Sequence, residues 1–209
     1  MKRPGAGLVT AAAAAIVALA GVVIVGVFLL GTSEEPRDYR GSVPPVQIAV
    51  PNFTLPDYTG KSVSSQDLQG KVVLITFLDA QCTEACPIIA FQIARTLEQL
   101  SPAERAEVTA VAISTDPEED TPTAVRTFLE KNRAVGKLLY VVGPLERLRP
   151  VWERFQIAAS VDTGRDTLHS APVRIYDREG TWVSTLHAGA DLTMENLAHD
   201  VRIALGSSA

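Results

Sequence analysis

Polar and apolar positions change character along the chain. From Leu8 to Leu30 a run of 23 residues, mostly Ala, Val, Ile and Leu, carries no charge, which is long enough for a helix to cross a bilayer. Over residues 31–46 the composition turns polar, with Glu34, Glu35, Arg37, Asp38 and the Pro44-Pro45 pair, as in a partly extended spacer. Over residues 47–207 apolar positions recur with the periods of short strands and helices, which predicts one globular domain.

Within that domain, Asn52–Leu55 and Asp57–Val63 read as two strands turning near Gly60. Val72–Leu78 is almost continuously apolar and β-branched, the pattern of a strand covered on both faces. Ile89, Ile93, Leu97 and Leu100 follow at helical spacing and predict a helix from Pro87 to Leu100. Val108–Ser114 is a second buried strand, and Thr121-Pro122 opens a helix carrying Val125, Phe128 and Leu129 inward, since Pro is tolerated in a first helical turn. A strand over Leu138–Val142, a helix over Leu145–Phe155, a hairpin of Val173–Tyr176 with Trp182–Leu186, and a helix over Leu192–Leu205 complete the series. Strands alternating with helices, then a hairpin and a closing helix, predict a thioredoxin-like α/β fold: a central mixed sheet flanked by helices.

Charge sharpens the topology. Lys2 and Arg3 precede the apolar run, and Glu34 and Glu35 follow it. The positive-inside tendency therefore keeps residues 1–7 in the cytoplasm and sends the remainder across. The run exceeds the apolar core of about 7–15 residues in a cleaved signal peptide and ends without a small-residue cleavage site. It reads as an uncleaved single-pass anchor in the cell membrane, with a cut secretory signal as the alternative. Either way the domain is expected on the extracytoplasmic side. A formal charge of −5, a pI near 5.2 and 6% aromatic residues leave no basic stripe and few stacking platforms, which argues against nucleic acid as a partner.

The chain has two cysteines, in Cys82-Thr83-Glu84-Ala85-Cys86. They occupy the loop that leaves a central strand and enters a helix, where α/β sheets place reactive sites. A helix N-terminus stabilises thiolate, and thiolate is both the nucleophile of disulfide exchange and a ligand for soft metal ions. Three intervening residues can still close a disulfide, and they also let both sulfurs face one ion. A structural disulfide would add little here, because so short a loop constrains the unfolded chain weakly. Peroxidase chemistry needs a cation beside the thiol, which neither Gln81 nor Thr83 supplies.

Of the three histidines, His169 immediately precedes the strand from Val173, whose approach in such a fold passes the cysteine loop. His187 and His199 fall after a hairpin strand and in the closing helix, where a surface imidazole is ordinary. Thiolates suit Cu(I), and an added imidazole lets a site accept Cu(II). Structural zinc prefers four protein ligands, and no fourth Cys or His has suitable spacing. His169 could instead satisfy loop backbone groups. The acidic run Glu118–Asp120 reads as solvated charge at a helix entrance, with a partner surface as the alternative.

These residues resemble the SCO/SenC family. The resemblance is carried by Phe53-Thr54-Leu55, Gly60-Lys61, Leu68-Gln69-Gly70-Lys71, Cys82 with Cys86-Pro87, Asp116-Pro117-Glu118-Glu119-Asp120-Thr121-Pro122, His169-Ser170 and Asp177-Arg178-Glu179-Gly180. The family consists of copper-binding, thioredoxin-fold assembly factors for the binuclear copper centre of cytochrome c oxidase. The resemblance implies copper, Cu(I) or Cu(II), on Cys82, Cys86 and His169, an N-terminal membrane anchor, and as partner an oxidase subunit or another copper-handling protein. Thr83 stands where the family commonly has Pro, and Leu168 where it commonly has Asp; Asp166 is the remaining acid that could orient His169. The alternative is a thiol-disulfide oxidoreductase acting on exported proteins, in which Cys82 attacks and Cys86 resolves. Pro172 would then match the cis-proline of thioredoxins, or else be a trans proline opening an edge strand.

Overall fold

The computed structural model describes residues 38–159 and 171–206. The expected anchor over residues 8–30, and with it Asp166 and His169, lies outside the described residues. Among the described residues no helix is long and apolar enough to cross a membrane.

In chain order the elements are β1 (Thr54–Pro56), β2 (Ser62–Ser64), β3 (Val72–Leu78), α1 (Ala85–Gln99), α2 (Pro102–Ala106), β4 (Val108–Ser114), α3 (Pro122–Lys131), β5 (Leu138–Val141), α4 (Leu145–Phe155), β6 (Pro172–Tyr176), β7 (Trp182–His187) and α5 (Met194–Leu205). Strands β1 and β2 form a hairpin, and the rest form one sheet in the order β5-β4-β3-β6-β7. Strand β3 is parallel to β4 and antiparallel to β6, and β4 is parallel to β5. The sheet is therefore mixed, as the pattern predicts.

The continuous apolar run of β3 has its physical counterpart in position. All seven residues are buried, because the sheet is covered on both faces. One apolar cluster packs Leu74 and Leu78 against Ile89 and Ile93 of α1, Val125 and Phe128 of α3, and Leu197 and Val201 of α5. The other packs Ile75 and Phe77 against Leu55 of the hairpin and Leu148, Trp152 and Phe155 of α4. Each fully buried aliphatic side chain stabilises the fold by about 1.5–3 kcal/mol.

Local differences from expectation have plain causes. Helix α1 starts at Ala85 rather than Pro87: a first-turn Pro lacks an N–H that no intrahelical carbonyl would accept, so the helix extends upstream of it. Helix α2 is a single turn closed by a Ser101–Glu104 capping box and is too short to show a helical period. Pro172 opens β6, and no peptide bond among the described residues is cis. The trans alternative therefore holds, although β6 is an inner strand rather than an edge.

The edge on this side, β7, is covered by residues that precede the β1–β2 hairpin. Within the expected spacer Ser42 is bridged to Thr185 of this strand, and Ala49, just after the spacer, is bridged to Thr181, which immediately precedes the strand. Covering an edge removes a template for pairing with other chains. The strap is fastened by Asp200, which is fully buried. Its carboxylate accepts from the backbone N–H of Arg40 and Gly41 at 2.8 and 3.0 Å and from the Ser184 hydroxyl at 2.6 Å.

Candidate metal centre

The site begins where β3 ends. Asp79, the next residue, is 2% exposed, and it folds the following turn onto itself. Its Oδ1 accepts the Gln81 N–H at 2.7 Å, and its carbonyl accepts the Cys82 N–H at 3.2 Å. Between them, the Ala80 N–H reaches across to Asp120 Oδ1 at 2.8 Å. The loop is thus held by backbone donors on buried carboxylates before it enters α1.

Cys86 lies in the first turn of α1 and is buried, whereas Cys82 is half-buried on the loop; both are free thiols. The structure brings their sulfurs into hydrogen-bond contact. Cys86 donates to Cys82, and the Cys86 and Glu84 N–H groups point at the same sulfur. Together these lower the Cys82 thiol to about 6, against burial and the Asp79 charge. The same contact and burial push Cys86 far above the ordinary thiol range. Cys82 is therefore the sulfur that ionises first, and Cys86 the one that keeps its proton longer.

Among the described residues no three His, Cys, Asp or Glu side chains converge closely enough to hold a metal ion. The pair that does converge is Cys82 with Cys86, while Asp166 and His169 lie outside the described residues. The chain nevertheless returns to the site after them. Strand β6 runs antiparallel to β3, so its first residues stand at the end of the sheet that β3 leaves. Ala171 is buried in the same apolar cluster as Cys86, with Cys82 packed against it. Two thiols of unequal proton affinity suit a soft ion, and one proton must leave for both to bind as thiolates.

The His199 imidazole is engaged elsewhere, its Nδ1 3.0 Å from Asp200, while the backbone N–H of His187 donates to Asp191 at 2.6 Å.

Two members of the site escape sequence reasoning. Glu118 and Glu119 are exposed as expected, but Asp120 is 4% exposed and turns inward, which corrects the expectation of a solvated acidic run. Besides Ala80 it binds the Tyr140 hydroxyl at 2.8 Å. Burial pushes its carboxyl up to about 7 despite these hydrogen bonds. The available signals were its place in the Asp116–Pro122 motif and just before Thr121, the N-cap of α3. A groove of about 580 Å³ runs from Cys82 past Pro87 to Thr127 and Lys131, so the outer thiol is reachable from solvent.

Residues 43–205 match the family model described as SCO1/SenC. The chain belongs to the SCO1/SenC family. It is 23% identical over 165 residues to mitochondrial protein SCO2 of Saccharomyces cerevisiae, covering 76% of this chain and 54% of that protein's length. Its fold matches the structure of Bradyrhizobium japonicum ScoI with copper bound at a TM-score of 0.62 and 29% identity, covering 74% of this chain and 98% of that one. It also matches BsSco, described as a member of the Sco family of cytochrome c oxidase assembly proteins and as having a disulfide switch. There the TM-score is 0.65 at 21% identity, with 80% of this chain and 99% of that one covered. The thioredoxin-like α/β fold of this family member is thereby shown.

Proposed function

We propose that this family member is a membrane-anchored, extracytoplasmic copper-binding protein. In this reading Cys82, Cys86 and His169 hold one copper ion, and the protein passes it to the copper centre of a cytochrome c oxidase or maintains the thiols of that centre. The observation that carries the reading is the contact between Cys82 and Cys86, which leaves a thiolate ligand poised at neutral pH. The copper bound by ScoI, at 29% identity, supports copper as the ion bound here. Ala171, buried in the same apolar cluster as Cys86 and separated from His169 only by Ser170, supports His169 as the third ligand. Copper is cargo, exchanged to a receiving thiol or imidazole from the reachable Cys82 side.

The test is an anaerobic titration of the full chain in detergent with Cu(I) and then Cu(II). One equivalent of each binds the wild type, and His169→Ala loses Cu(II) while keeping most Cu(I). Absence of tight copper binding by the wild type, or unchanged Cu(II) binding by the variant, contradicts the three-ligand site.

The unequal thiols favour a second reading as well. A half-buried thiolate that attacks and a buried thiol that resolves are the parts of a disulfide oxidoreductase. Reduction of a model disulfide at a useful rate by a chain that ignores copper would select it.

A further inference from the structure

We propose that Asp120 is a positioning residue for the cysteine loop, acting through Ala80 and braced by Tyr140. Its two carboxylate oxygens are divided between two elements. Oδ1 takes the Ala80 N–H at 2.8 Å, and Oδ2 takes the Tyr140 hydroxyl at 2.8 Å. Asp120 itself stands at the entrance to α3, so one side chain ties the cysteine loop to α3 and to β5. Tyr140 is fully buried and its ring packs edge-on against Phe128 of α3, which fixes the brace on the α3 side.

Ala80 lies two residues before Cys82, and the turn it opens closes when the Cys82 N–H reaches the Asp79 carbonyl. Cys86 is fixed separately, by its place in α1. The distance between the two sulfurs therefore depends on where the loop holds Cys82, and the tie from Asp120 is a contact that reaches the loop from a residue distant in sequence. A buried carboxylate whose hydrogen-bond partners are all neutral donors is costly to maintain. A role confined to filling space would be met by an apolar side chain. Holding an N–H in place requires an acceptor, and a buried N–H left without one is itself destabilising.

The consequence is on thiol chemistry as well as on metal binding. Cys82 and Cys86 lose two protons and two electrons to form their disulfide, and glutathione disulfide takes these up to give two glutathione thiols. The equilibrium depends on the effective concentration of one cysteine at the other. A loop released from Asp120 spends less time with the sulfurs together, so the disulfide is less favoured.

The test uses the full-length chain in detergent, free of metal, equilibrated against mixtures of reduced and oxidised glutathione, with the disulfide fraction read by alkylation and mass. Asp120→Ala lowers the equilibrium constant for disulfide formation at least about tenfold, equivalent to about 30 mV for this two-electron couple. Asp120→Asn keeps an acceptor for the Ala80 N–H and stays within about threefold of wild type, while Tyr140→Phe falls between the two. A folded Asp120→Ala chain with the wild-type equilibrium overturns the assignment. Should that variant fail to fold by circular dichroism, Tyr140→Phe decides, and a wild-type equilibrium there overturns the assignment equally. A second arm rests on the copper-binding reading: in the Cu(II)-loaded chain, Asp120→Ala shifts the sulfur-to-copper absorption band and Asp120→Asn does not. If the wild type takes up no copper, that reading falls while the glutathione arm still tests Asp120.

Discussion

The thiols of Cys82 and Cys86 are hydrogen-bonded to each other, and that contact shifts two chemically identical side chains four positions apart in opposite directions. The ordinary thiol value of 9.0 falls to about 6 at Cys82. In the reduced, metal-free chain, iodoacetamide should therefore modify Cys82 first. The rate should rise with pH to a half-maximum near 6 and be flat above neutrality. Cys86→Ala removes the donor and should move that midpoint upward by at least about one unit. Mass spectrometry of timed samples checks both, and a half-maximum above pH 8 in the wild type would contradict the shared-proton arrangement.

Asp120 makes stability depend on pH in the sense opposite to an ordinary paired carboxylate. Its carboxyl is raised in the fold from 3.8 to about 7, burial being the main cause. Below the lower value both folded and unfolded chains hold the proton. Between the two values the folded chain keeps a proton that the unfolded chain has lost. The resulting stabilisation is full at acid pH and lost as pH rises through about 7. Asp120→Asn has no such dependence. The stability of wild type minus variant should thus decrease from pH 4 to pH 8, on the order of a few kcal/mol at most. Denaturant melts at several pH values would show it, and a difference that grows with pH would contradict it.

Gly41 tests the strap along β7. A Cβ there would stand against Ser184 Oγ and the Thr185 carbonyl, both too close to accommodate it without movement. Gly41→Ala should lift the strap from Asp200 and cost about 1–3 kcal/mol, read as a lower Tm and faster proteolysis near residue 41. Unchanged melting and proteolysis would mean that the strap does not contribute to stability.

The elements that the sequence makes legible are those with a strong period. The unbroken apolar run of β3 announces a strand covered on both faces, and Ile89, Ile93 and Leu97 announce the inner face of α1. The cysteine pair is equally legible, because the transition from strand to helix brackets it. What is not legible depends on the third dimension. Asp120 looks like its exposed neighbours Glu118 and Glu119, and nothing local reveals that Ala80 and Tyr140, 40 and 20 positions away, turn it inward. Similarly, residues 38–46 belong to the stretch with the composition of a spacer, and only the pairing of Ser42 with Thr185 makes them part of the domain.

The membrane anchor yields its own test. Full-length chain expressed in cells should stay with membranes after carbonate extraction, whereas a chain lacking residues 1–31 should be released. Extraction of the full-length protein by carbonate would contradict a spanning segment at Leu8–Leu30.

The most direct measurement is X-ray absorption at the copper edge on the full-length chain loaded with one equivalent of copper, compared with His169→Ala and Cys82→Ser. The predicted result is two sulfur scatterers and one imidazole nitrogen in the wild type, loss of the nitrogen in the first variant and of one sulfur in the second. A wild-type spectrum with fewer than two sulfurs, or one unchanged by His169→Ala, would contradict copper held by Cys82, Cys86 and His169.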